Sequence, residues 1–297
     1  MTDFWTTGTL FIKELDILDC AVFCPEHGVI GSSWHVDVEI EGQLDRNGFV
    51  YDFSHTKRVI KETLKNSLDH ALIIPNAHKS IKIETKNQIA SLEIYSKKGA
   101  WKYTAPSKSI FQISAQEVTS DTISREAGNI ILKDLPSTVS NIKVTLRDEN
   151  ISDEDSLFRY THGLPFHDGL CQRLLHGHRS KLIIYKDDKR DTEIEKLVIE
   201  NWFGKNVHIA DKSQFKSECW EPYKRGPKDS YTTLSYTSAE GTFTAEIPSN
   251  FIFTVEQATS IESISQGICK ALKALYPESS FTVIPHEGIN KGGIARA

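Results

Sequence analysis

Residues 158–178 read FRYTHGLPFHDGLCQRLLHGH. His176 and His178 stand two apart, and on a β-strand residues i and i+2 point to the same face, so their imidazoles can converge on one ion. His162 closes a short β-like run that begins at Phe158, and a hairpin with a long polar loop sets it opposite the HGH pair. Three neutral imidazoles and one open position make a catalytic zinc site rather than a closed structural one. Cys171 sits in the loop; a thiol beside a divalent cation has a lowered pKa and serves as a base at neutral pH. An HxH pair alone also suits a strand with no metal, and it is the addition of His162 and Cys171 that favours the ion. His167, in the Pro-Phe-His-Asp-Gly loop, reads as a solvated loop histidine.

The chain around this stretch has 297 residues, enough for two domains of ordinary size. A hydrophobic content of 39% and a charged content of 25% fit a soluble globular protein. The net charge of −5, with no dense basic patch, argues against a nucleic-acid partner. No apolar run reaches membrane-spanning length, and MTDFWTTGTLFIKELD at the start lacks the regions of a secretory signal. The five cysteines (Cys20, Cys24, Cys171, Cys219, Cys269) are an odd number without framework spacing, which fits free thiols in a reducing cytoplasm.

Period-2 runs predict strands at residues 9–15 and 34–40, further strands between Ile81 and Phe111, and one over residues 142–146. A helix is predicted from about His55 to Asn66 with Ser54 as its cap, and a second from about Thr119 to Leu132. The acidic, apolar-poor stretch from Asp148 to Ser156 is the linker candidate. Beyond it come a strand at 157–160, the continuation of the HGH strand to Tyr185, and a β-rich segment over 192–210. Further strands follow over 231–253, then a helix over 261–275 capped by Ser260, and a last strand over 281–284 that delivers Glu287. The order strand, strand, middle segment, helix, strand recurs in both halves, an internal repeat in which the second half shows no convincing counterpart to the first helix.

Set beside these motifs, the second half resembles the 6-pyruvoyl-tetrahydropterin synthase and 6-carboxytetrahydropterin synthase family. The marks are Phe158-x-x-x-His162, Cys171-Gln-Arg-Leu-Leu-His176-Gly-His178, the Ser260-Ile-Glu262 segment and His286-Glu287. The first half resembles the family through Gly48-Phe-Val-Tyr-Asp52-Phe53 and Leu68-Asp69-His70. The resemblance implies an α+β fold: two tandem tunnelling-fold (T-fold) domains, residues 1–150 and 151–297, each a four-stranded antiparallel sheet with helices on one face. It implies zinc on His162, His176 and His178, a proton taken from 7,8-dihydroneopterin triphosphate by Cys171 with help from Asp69 and His70, and a pterin ring held by Glu287. It also implies a homo-oligomer whose only other partner is the small pterin substrate.

The halves differ in opposite ways. Aligning the first half on the family's motifs puts Val22 and Ile30-Gly31-Ser32 where the zinc histidines belong, so residues 1–150 lack the ligands but keep Asp69-His70. The second half keeps the histidines, Cys171 and Glu287 but has no Leu-Asp-His. On its own, His70 also reads as a histidine favoured by a helix C-terminus, and Glu287 as a solvated strand-end carboxylate. The CQRL wording resembles the carboxy-forming branch, which leads toward deazapurine (queuosine-type) precursors. Four residues separate Cys171 from His176, one more than that branch implies. The readings in competition are a zinc-dependent pterin synthase, a pterin- or purine-binding protein without turnover, and another zinc lyase or hydrolase.

Overall fold

A computed structural model describes residues 6–297; the first five residues of the N-terminal stretch considered above lie outside them. In the first half β1 (Thr7–Cys24) and β2 (Gly28–Gln43) form a long antiparallel hairpin. Helix α1 (Phe53–Lys65) crosses back to β3 (Leu72–Pro75). A meander of β4 (Ile81–Lys86), β5 (Ile89–Ser96) and β6 (Gly99–Pro106) follows, then β7 (Ile110–Ile113), α2 (Ser120–Asp134) and β8 (Val139–Arg147). In the second half β9 (Ser156–His162) and β10 (His176–Lys186) form the corresponding hairpin, with β11 (Lys189–Arg190) on its end. Next are α3 (Thr192–Val198), β12 (Asn206–Asp211), the hairpin of β13 (Tyr231–Ser238) and β14 (Gly241–Pro248), and β15 (Ile252–Val255). Helix α4 (Ile261–Leu275), β16 (Phe281–Pro285) and β17 (Ala295–Arg296) end the chain.

The fold is α+β, but its sheets are larger than four strands and not purely antiparallel. One runs β7-β3-β1-β2-β8 and another β15-β12-β9-β10-β16-β17. In both, the helical crossover after the hairpin carries the chain to the far side of the first strand. The strands that follow therefore pair in parallel, β3 on β1 and β12 on β9. The third sheet, β13-β14-β6-β5-β4, joins strands from both halves through the β14–β6 pair.

Local sequence explains most of the elements. In α1 the buried Ile60 and Leu64 recur at helical spacing. Its cap is Asp52 rather than Ser54: the carboxylate accepts from the Ser54 and His55 amides at 2.9 and 3.0 Å. Helix α2 starts at a Thr119/Thr122 capping box, and α4 at Ser260. The segment over 192–210, expected to be β-rich, is helical up to Phe203 and supplies a counterpart of α1, with a strand only from Asn206. Asp191 caps it through the Ile194 amide at 3.0 Å. Ile194 and Val198, four apart, bury against Phe158 and Phe203, so packing overrides the strand preference of their branched side chains.

Three cores result. One lies between α1, α2 and the first sheet, and one between α3, α4 and the second. The third sits beneath the shared sheet, around Trp101, Tyr103 and Phe243. The two hairpins meet where β2 crosses β10. A Cβ on Gly31 would press on the Tyr160 carbonyl and lie 2.5 Å from the His178 amide, and one on Gly177 would lie 2.8 Å from the Gly31 Cα. Only glycine at both positions lets the backbones approach this closely, and that approach brings the first half onto the HGH strand.

Candidate metal centre between the two halves

The register of the β9–β10 hairpin pairs His162 directly with His176 and sets His178 opposite Tyr160. The ring centroids of the three histidines lie 4.3 to 5.4 Å apart. All three side chains are fully buried. His162 Nδ1 faces the Thr259 carbonyl at 2.8 Å, and His176 Nδ1 faces the Arg173 carbonyl at 2.7 Å. His178 Nδ1 lies 3.2 Å from the Asp19 carboxylate. His162 and His176 thus each point Nδ1 at a carbonyl that fixes the tautomer, the usual support behind a metal-ligating histidine, while His178 Nδ1 has only the ion-pair approach to Asp19 and no hydrogen bond. The Nε2 atoms of all three are buried with no hydrogen-bond partner. Buried polar atoms are rarely left alone, and three unpartnered imidazole nitrogens on one hairpin fit a divalent ion such as zinc. Burial first, and then the neighbouring histidines, hold His162 and His176 well below the usual histidine range, so both stay neutral as ligands must.

The first half supplies the rest of the wall. After α1 the chain turns sharply at Asn66–His70, and His70 takes a left-handed φ of 54°. That conformation is costly outside glycine and marks a constrained residue. Its amide donates to the Asp19 carbonyl at 2.7 Å. His70 Nδ1 lies 3.0 Å from Asp69 Oδ1, and its ring centroid is 5.1 Å from that of His176 and 5.9 Å from that of His178. Burial opposes a charge on His70, but Asp69 and the Cys171 thiol beside it prevail, and its pKa is pushed up to about 10. The ligand atoms of His70, His176 and His178 all lie within 4.8 Å of one another, as do those of His162, His178 and Glu287.

Cys171 is half-buried in a single 3-10 turn over Leu170–Gln172. That turn is followed by the buried run Gln172 to Leu175, and the thiol lies next to His70. Glu287 stands with its carboxylate 4.0 Å from His162 Nε2. Within one molecule the ligand atoms thus form two overlapping sets that share His178, and those of His162, His176 and His178 do not form one set, while Asp69 and Cys171 stand beside His70. His167 is exposed and accepts only from the nearby Gly169 amide, at 2.8 Å.

Residues with no motif of their own complete the centre. Asp19, from β1, is buried; burial opposes its charge, but His178, Lys291 and Ser33 together hold its carboxyl well below the usual range. Lys291 Nζ lies 2.9 Å from Asp19, on the open side. Thr259 supports His162 through both its carbonyl and its hydroxyl, the latter at 3.2 Å. In the first half the same register puts Val22 opposite Ile30 and Cys20 opposite Ser32, so no imidazole stands there. Where Asp19 approaches His178, the corresponding strand of the second half sends Arg159 to the Ser32 hydroxyl at 2.9 Å. A guanidinium in that place disfavours a cation. A cavity of about 650 Å³ opens next to Leu164–His167, Asp211–Ser213 and Glu256–Ala258, but Cys171, His70 and Glu287 do not line it.

Known proteins similar to this chain belong to one family. A family model described as 6-pyruvoyl tetrahydropterin synthase matches residues 25–154, the half that carries Asp69-His70. A protein of Pyrococcus horikoshii named "Putative 6-carboxy-5,6,7,8-tetrahydropterin synthase" is 28% identical over 116 residues, which cover 39% of this chain and 66% of that protein. Its namesake from Methanocaldococcus jannaschii is 30% identical over 132 residues, covering 42% of this chain and 77% of that one. Among solved structures, a 6-pyruvoyl tetrahydropterin synthase from Plasmodium vivax overlaps half of the chain (50%) and 94% of its own, with 21% identity and a TM-score of 0.40.

Proposed function

Because the chain belongs to the 6-pyruvoyl tetrahydropterin synthase family, we propose that it is a zinc-dependent lyase acting on 7,8-dihydroneopterin triphosphate, with 6-carboxy- or 6-pyruvoyl-tetrahydropterin as product. The observation that carries this reading is the set of three buried, unpartnered Nε2 atoms on His162, His176 and His178, with Cys171 and His70 beside them. Zinc held there would polarise the substrate's side-chain hydroxyls and acidify the adjacent carbon. Cys171 Sγ takes the proton from that carbon. His70, with Nδ1 turned to Asp69, exchanges a proton through Nε2 on the other side of the substrate. Glu287 receives the amino and ring N–H groups of the pterin in its carboxylate. Thr259, Arg173 and Asp19 keep the three histidines aimed, and burial keeps His162 and His176 neutral.

In this reading residues 1–150 and 151–297 are two copies of one domain that have divided the site, and the enzyme works in a reducing cytoplasm, where its five thiols are free. Among the described residues no helix is long and apolar enough to cross a membrane. The likeness to the two archaeal relatives favours the carboxy product and a place in deazapurine (queuosine-type) synthesis. Metal analysis of protein purified without chelator is expected to find about one zinc per chain. Incubation of that protein with dihydroneopterin triphosphate, followed by mass analysis, is expected to release triphosphate. Acetaldehyde alongside it marks the carboxy product. Binding without turnover would replace the lyase reading with that of a pterin-binding protein.

We further propose a homo-oligomer, since β7, β8 and β15 are outer strands of their sheets and open edges favour pairing with another copy. Light scattering at micromolar concentration is the test, and a strict monomer overturns it.

A further inference from the structure

The turn between β13 and β14 belongs to the sheet shared by both halves and carries none of the residues discussed so far. Its Glu240 is nearly buried, with 10% of the side chain exposed. The carboxylate receives Arg173 Nε at 2.9 Å and Nη2 at 3.3 Å, a two-pronged pairing. The Glu240 amide donates to the Gln172 side chain at 2.8 Å, and Tyr236 Oη donates to the Gln172 carbonyl at 2.8 Å. Arg173, 4% exposed at its side chain, has two further bonds. Its Nη1 donates to the Asp69 carbonyl at 3.3 Å, and its own carbonyl accepts from His176 Nδ1 at 2.7 Å. Arg173 therefore touches the peptide that places His70 through its guanidinium and the His176 ring through its backbone carbonyl.

Without Glu240, Arg173 would be a buried cation stripped of its counter-charge. Such a group moves toward water rather than stay in place. Its backbone would shift with it, and with that backbone the carbonyl behind His176. Lys108, 3.1 Å from the same carboxylate, is more than half exposed and touches neither His176 nor Asp69 in this network.

We propose that Glu240 is a positioning residue for the metal centre: by holding Arg173 it fixes the direction of His176 and the placement of Asp69-His70, and so couples the shared sheet to the site. The proposal rests on the metal reading above. The test uses the full chain loaded with zinc, and affinity is read by competition with a chromophoric chelator. Glu240→Ala is expected to weaken zinc binding by about 10-fold, within the range seen for partners behind a metal ligand. The visible bands of the Co2+-substituted variant should shift, since they report ligand geometry. Glu240→Gln keeps the shape and one acceptor and should move both readouts in the same direction but less. Lys108→Ala should leave both unchanged. Wild-type affinity and an unaltered cobalt spectrum in Glu240→Gln would overturn the proposal even if Glu240→Ala does not fold. A wild-type chain that binds neither ion would remove the metal reading and this proposal with it.

Discussion

Replacement of His70 by alanine is expected to lower turnover by about 10²-fold or more, the usual cost of a lost general acid or base, and to leave the zinc content at one per chain. The residue is held in a left-handed turn, with Nδ1 at 3.0 Å from Asp69 and the Cys171 thiol close by. The two readouts separate two roles. Its ligand atom lies within 4.8 Å of those of His176 and His178. If the variant loses its metal along with its activity, His70 is a ligand rather than a proton carrier. If it retains metal and full turnover in a folded chain, the split-site idea is falsified. Asp69→Asn, which keeps the shape but not the charge behind Nδ1, should lie between wild type and His70→Ala.

How much of this was legible in the sequence follows from how local each feature is. The HGH hairpin could be read because side-chain direction alternates along a strand: two histidines two apart must share a face, and a third one strand away can pair opposite them. Asp69-His70 could be read only through the resemblance, since a His after a helix has an ordinary electrostatic explanation. Asp19 and Lys291 could not be read. They reach the site from β1 and from the segment after β16, and only the close crossing of β2 over β10 at Gly31 and Gly177 brings the first half to His178. Asp19 sits in the stretch from Leu18 to Val22 that aligns with the His162 strand, but a motif read within one half does not say that its acid serves the other half.

The fold divided in the same way. Helix α4 was read from Ile261 to Leu275 and observed there, because cap, amphipathic spacing and acidic first turn agree. Helix α3 escapes a local reading because Ile194, Val198 and Ile199 carry strand preference, and the buried Phe158 against which they pack is distant in sequence. Asp191, with Glu193 and Glu195 in the first turn, was the signal present for it. The meander and the β13–β14 hairpin were expected as strands, but nothing in either run states that they join into one sheet. That pairing rests on the register of Thr244 with Thr104 and of Ala245 with Tyr103, between the two halves.

Cys171→Ala is expected to cost turnover about 10²- to 10⁴-fold, the range for a lost general acid–base group, with zinc again retained, since the thiol is not among the grouped ligand atoms. Mixing then adds a topological test. Within one chain Asp69-His70 already stands beside His176, His178 and the Cys171 turn, held there by the Gly31–Gly177 crossing and by the bond from Arg173 to the Asp69 carbonyl. We propose on this ground that each site takes its proton carriers from its own chain. Oligomers assembled from an equal mixture of His70→Ala and Cys171→Ala chains would contain only sites lacking one or the other group, and activity should stay at the level of the two variants. If subunits instead exchanged their first halves, some sites in a mixed oligomer would receive intact His70 and intact Cys171 from different chains. About a quarter of the sites would be restored by random pairing, well above a background lowered 10²-fold. The reading to take is single-turnover rate against mixing ratio, after denaturation and joint refolding so that chains are free to recombine. A flat line supports a site closed within the chain, and a maximum at equal proportions would place Asp69-His70 in the service of a neighbour.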